Sequence, residues 1–131
     1  MRRRRTRASR GHCWNTAIQG PNGPPYDDID IYHPRSWRKD ALLQPESRER
    51  YAKLLAQGWT DSLRASFPDE QVFTFWDYFR DHWPKNSGLR IDHLLLNPVL
   101  APRLEAAGVD RWVRDLPKAS DHAPTWVALQ R

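Results

Sequence analysis

Apolar and polar positions follow two regimes along this chain. Through residue 25 no helical or strand period survives for more than a few residues. Arg, Asn, Gly and Pro dominate there, which predicts an irregular arm. Beyond it, "YDDIDIYHPRSW" (26–37) reads as a short extended piece stopped by Pro34. "PESRERYAKLLAQ" carries Tyr51, Leu54 and Leu55 on one helical face. Pro45 suits the first turn of that helix and Gly58 its end. "WTDSLRASFPDE" (59–70) predicts a short helix ended before Pro68, and the aromatic, β-branched run "VFTFWDYF" (72–79) a strand. "LRIDHLLL" (89–96) reads as a second strand, apolar on both faces at its far end and therefore central in a covered sheet. "PVLAPRLEAAG" (98–108) suggests a helix capped by Gly108, "VDRWVRDL" (109–116) a strand, and "APTWVALQ" a last strand. Strands and helices alternating with short turns predict a layered α/β fold.

At 131 residues the chain suffices for one domain with a core. Its formal charge of +5 invites a polyanion as partner. Residues 1–10, "MRRRRTRASR", hold six Arg, and setting them aside leaves 15 of the 21 basic residues against 16 acidic ones. The body is nearly neutral, so attraction to nucleic acid must come from local placement. Cys13 is the only cysteine, which excludes an intrachain disulfide and points to the cytosol. Apolar runs are too short for a membrane span, and "MRRRR" is not followed by the apolar stretch of a signal peptide.

Chemistry concentrates near the C-terminus. Ser120, Asp121 and His122 sit together before Pro124 and the last apolar run. Asp92 stands in an apolar strand, where a carboxylate is costly to bury without a partner. Arg90, two residues away on the same face, is one candidate partner. The imidazole of His122 is the other. A carboxylate in that second role fixes the ring's tautomer and raises the basicity of its other nitrogen. Asp121 offers a hard oxygen of the kind Mg²⁺ or Mn²⁺ prefers.

Three segments, "FTFWDY" (73–78), "GLRIDHLLL" (88–96) and "KASDHAPTW" (118–126), resemble in order and separation the C-terminal half of bacterial exodeoxyribonuclease III and related apurinic/apyrimidinic endonucleases. "HPRSWRKDALLQPESRERYAKLLAQGWTDSLR" (33–64) extends the likeness to residues 28–131. The resemblance implies half of the four-layer α/β sandwich of the endonuclease/exonuclease/phosphatase superfamily. It implies metal-assisted hydrolysis of duplex DNA at abasic sites or 3′ ends, with Mg²⁺ or Mn²⁺ as cofactor. By the same likeness His122 is the catalytic histidine, Asp92 the acid orienting it, and Asp121 a metal ligand, with His122 a further candidate for the metal. Phe75 and Trp76 are implied to line the sugar, and Arg90 and Lys118 to steer phosphate.

Family members are about twice this long, and the resemblance implies that their first half supplies a metal-binding glutamate and a G-D-aromatic-N motif. The nearest text is "GHCWN", with Asn15 in place but Cys13 where the Asp is expected. The abrupt change near residue 28 suggests that residues 1–27 are not family sequence and arise from a shifted frame or wrong start. The expectation is then impaired activity, with an uncovered sheet face that drives self-association or pairing with a chain carrying the first half. Alternatives are a non-catalytic nucleic-acid-binding module working through the arginine arm, an inert gene remnant, and a phosphomonoesterase of the same superfamily.

Overall fold

The computed structural model describes residues 18–20 and 28–131. Asn15, Cys13 and the arginine head lie outside the described residues. Two small antiparallel sheets carry the structure. In the first, β3 (His93–Leu96) lies between β1 (Ile18–Gly20) and β2 (Thr60–Asp61). The central place expected for "HLLL" is therefore met, and Leu95 and Leu96 are buried. In the second, β4 (Leu104–Val109) pairs with β5 (Thr125–Leu129) across an irregularity between Leu104 and Ala106.

The helix α1 (Pro45–Ala56) follows its sequence signals at both ends. Pro45, which has no amide hydrogen to leave unpaired, opens it. Gly58, at φ +102°, closes it with its amide bonded to the Leu55 carbonyl at 3.0 Å. Tyr51 is the residue this helix buries. The short α2 (Ser62–Ser66) starts where the Asp61 carboxylate accepts the Arg64 amide at 3.2 Å. Two apolar clusters form the core. One joins Ile31, Leu43, Leu89 and Ile91; the other joins Phe73, Trp76 and Ala123.

Several expected elements differ. Residues 98–108 are not a helix: a single turn, Ala101–Arg103, leads into β4. Pro98 and Pro102 deny the segment a helical ladder, and pairing with β5 outweighs the helix propensity of "LEAAG". Gly108 is no cap. It admits the Trp126 ring, which lies 2.7 Å from where a Cβ would stand. Residues 111–115 form a 3₁₀ turn, not a strand. The run 72–79 forms β-bridges only at Phe75, and the run 89–96 becomes a regular strand only at His93. The irregular arm expected over 1–27 is interrupted by β1, whose backbone fills the otherwise open edge of β3.

Candidate active site

Two separate stretches of chain meet across one short segment, residues 74–76. On one side Phe75 exchanges backbone bonds with Leu89, at 3.0 and 2.9 Å. On the other, the Trp76 amide donates to the Asp121 carbonyl at 2.8 Å and the Ala123 amide to the Thr74 carbonyl at 2.9 Å. This lays "RID" and "SDH" on opposite flanks of "TFW". Side chains then meet across it: His122 Nδ1 lies 2.8 Å from Asp92 Oδ2. An ionised carboxylate only accepts, so Nδ1 is the donor in this contact, and in the neutral ring Nε2 then keeps the lone pair. The imidazole is 32% and the carboxylate 23% exposed, enough for a substrate to reach the ring. The Phe75 and His122 rings meet at 5.0 Å between centroids, inclined at 61°. Ser120 Oγ accepts the His122 amide at 3.1 Å and so folds the loop behind the histidine.

Other expected site residues lie elsewhere. Arg90 is fully buried and does not reach toward a phosphate. Its guanidinium meets Asp30 at 2.7 and 2.9 Å and Asp61 at 2.5 Å, and Arg64 also bonds Asp30. Burial alone would lower the Arg90 pKa, but the two acids hold it above the ordinary arginine range. Arg90 is therefore an internal tie between β2, the Asp28–Asp30 turn and the Asp92 stretch. The physical reason is plain: a fork of five donors matches two buried carboxylates better than it suits an isolated place in an apolar strand. Trp76 is likewise buried, its indole donating to Asn86 Oδ1 at 3.1 Å, and cannot stack on a sugar from there. Lys118 is exposed, at φ +57°.

Asp61 extends the internal network. Tyr51 donates to it at 2.6 Å, and His93 Nδ1 lies 3.3 Å from both the Tyr51 hydroxyl and the Arg90 guanidinium. Burial pushes the Asp61 carboxyl up, but the nearby His93 ring, the Arg90 charge and the Tyr51 hydroxyl together hold it well below the usual carboxylate range. Tyr51 is pushed up, first by burial and then by the Asp61 charge. In sequence Asp30 and Asp61 each read as an ordinary loop or cap acid, and nothing local marks them as Arg90's partners. The one sequence signal is an arginine standing within the apolar run around "LRID". An open groove lined by Asp28, Tyr32, His33, Arg35, Arg38 and Arg48 also carries three guanidinium groups, of which that of Arg48 is paired with Asp28 at 3.0 Å.

No protein-family profile matches the sequence. Individual proteins do. The chain is 38% identical over 105 residues to the DNA repair nuclease APEX1 of Danio rerio, covering 79% of this chain and 33% of that protein. It is 40% identical over 87 residues to exodeoxyribonuclease III of Haemophilus influenzae, covering 66% and 33%. In three dimensions it is similar to the 3′ phosphatase NExo from Neisseria bound to product DNA hairpin. The TM-score is 0.83 at 34% identity, over 88% of this chain and 45% of that one. The chain belongs to the exodeoxyribonuclease III and AP endonuclease family. An AP endonuclease from Archaeoglobus fulgidus is similar too, with a TM-score of 0.79 at 29% identity over 83% of this chain and 43% of that one. The endonuclease/exonuclease/phosphatase fold expected from the resemblance is thus the fold of the chain's structural neighbours. The chain spans about a third of the length of the curated relatives it matches.

Members of the exodeoxyribonuclease III family generally depend on a divalent metal. Asp121 supplies one carboxylate beside His122, and that carboxylate accepts a long hydrogen bond from Ser120 at 3.4 Å. Among the described residues no group of three or more His, Cys, Asp or Glu is placed to hold a metal ion. The described residues alone therefore do not fit a divalent ion. Also among them, no helix is long and apolar enough to cross a membrane.

Proposed function

We propose that the His122–Asp92 pair is the proton-handling centre of a phosphodiester hydrolase acting on duplex DNA, at abasic sites or 3′ ends. The observation that carries this reading is the 2.8 Å contact of His122 Nδ1 with Asp92, which engages one ring nitrogen and leaves Nε2 as the other. An imidazole held so can donate to or accept from a phosphate oxygen or an attacking water, while Asp92 stabilises the charge that develops on the ring. Phe75, packed on the same ring, offers an apolar flank for a sugar. Lys118, and Arg35 and Arg38 of the groove, suit the DNA backbone. Asp121 would contribute one oxygen to a Mg²⁺ or Mn²⁺ ion whose remaining ligands come from substrate, water and groups outside the described residues.

The Neisseria relative is named a 3′ phosphatase, which favours a second reading: removal of a 3′-phosphate from a DNA end. The same pair would serve a phosphomonoester. A chimera distinguishes the two, made by placing residues 28–131 of this chain in the matched stretch of the Haemophilus enzyme. We expect it to cleave abasic-site duplex with Mg²⁺, and His122→Ala to slow it about 100- to 10,000-fold. Activity on 3′-phosphate ends alone would favour the phosphatase. A folded chimera whose cleavage ignores His122 would refute both.

A further inference from the structure

We infer that Thr74 is the positioning residue that sets the approach of Asp92 to His122, an inference that rests on the hydrolase role given to that pair. Thr74 is fully buried in the middle of the joining segment. Its carbonyl accepts the amide of Ala123, the residue after His122, at 2.9 Å. Its amide donates to the Leu89 carbonyl at 2.8 Å. Its hydroxyl oxygen accepts two amides, those of Ile91 and Asp92, each at 3.1 Å, and itself reaches the Leu89 carbonyl at 3.5 Å. A hydroxyl offers one hydrogen and two lone pairs, and all three are engaged.

The arrangement matters because of where the ladder stops. Phe75 and Leu89 exchange regular backbone bonds, but the regular strand resumes only at His93. Across the gap the Thr74 hydroxyl stands in for a backbone carbonyl and holds the main chain of Asp92 itself. One residue therefore grips the backbone of Asp92 through its side chain and the backbone beside His122 through its own carbonyl. Valine has the shape of threonine without the acceptor. At this position it leaves the buried Ile91 amide and the half-buried Asp92 amide unpaired, and the 91–92 stretch must move to satisfy them, drawing Asp92 from the ring. Serine keeps the acceptor and loses only a methyl group.

The test uses the full chain and reads the pair without DNA. At one fixed pH, nuclear magnetic resonance reports the His122 Nδ1–H proton and ring nitrogens, and amide exchange reports Ile91 and Asp92 against Leu95 as a distant reference. In Thr74→Val we expect the bonded ring-proton signal to be lost and the two amides to exchange roughly tenfold faster relative to Leu95. In Thr74→Ser both should stay as in the parent. A purely structural role would speed all three amides by the same factor and leave the ring signal in place, and that result overturns the inference. So does a serine variant that loses the signal. Should the valine variant not fold, the serine variant decides alone, signal kept or signal lost. These readouts are independent of catalysis. A chimera whose cleavage ignores His122 would remove the hydrolase role while leaving the measured effect of Thr74 on the pair intact.

Discussion

Asp61 shows how much a single buried side chain holds together. It joins Arg90, Tyr51 and α2 while being 6% exposed. Removing one partner of a buried ion pair typically costs about 3–5 kcal/mol, because the other charge is left uncompensated. Its carboxyl is held below the ordinary range, so the stability it contributes is present above the unfolded aspartate value of about 3.9 and is lost as pH falls below it. Urea melts between pH 3 and 7 should show the parent losing stability on the acid side. Asp61→Asn should be weaker at pH 7 and flatter with pH, and equal acid slopes would contradict the assignment. At this scale the sequence was partly legible. Asp92 and His122 could be paired because a lone acid in an apolar strand needs a partner and the family likeness supplied one. Arg90 was misplaced because its two acids lie 60 and 29 residues away in sequence and no local pattern links them.

Among the elements, legibility followed how local the deciding interactions are. The signals of α1, a proline, an apolar face and a glycine, all lie within its own stretch, and it forms where expected. The segment that becomes β4 carries helix-favouring "LEAA", and its fate is decided by β5 some twenty residues on. The Gly108–Trp126 contact is part of that decision. A methyl group at 108 meets the indole well inside contact distance, so Gly108→Ala should destabilise the chain by about 1–3 kcal/mol in a denaturant melt. A neutral result would show that Trp126 can turn away at no cost. Residues 111–115 failed as a strand for a related reason. Trp112 and Val113 are adjacent, so the stretch lacks the two-residue alternation of a strand, and the backbone closes a turn that places Arg114 against the Trp76 carbonyl at 3.2 Å.

For the whole molecule the governing fact is coverage: a third of the length of the DNA repair nucleases it matches. Hydrolytic enzymes lower their barriers by about 8–23 kcal/mol, and a general acid–base group supplies only a few of these. The remainder needs cation ligands and phosphate donors, and the described residues hold no metal-binding group of three. The 131-residue chain alone, given abasic-site duplex and Mg²⁺, is therefore expected to show little turnover; robust cleavage abolished by His122→Ala would contradict this. The arrangement it does possess, an imidazole and a carboxylate brought together from opposite flanks of one short segment, is most directly examined by a double-mutant cycle in the chimera. If His122 and Asp92 act as a unit, Asp92→Asn slows cleavage about 10- to 100-fold in the parent and has almost no further effect once His122 is alanine. Equal losses in both backgrounds would mean that the two residues act independently.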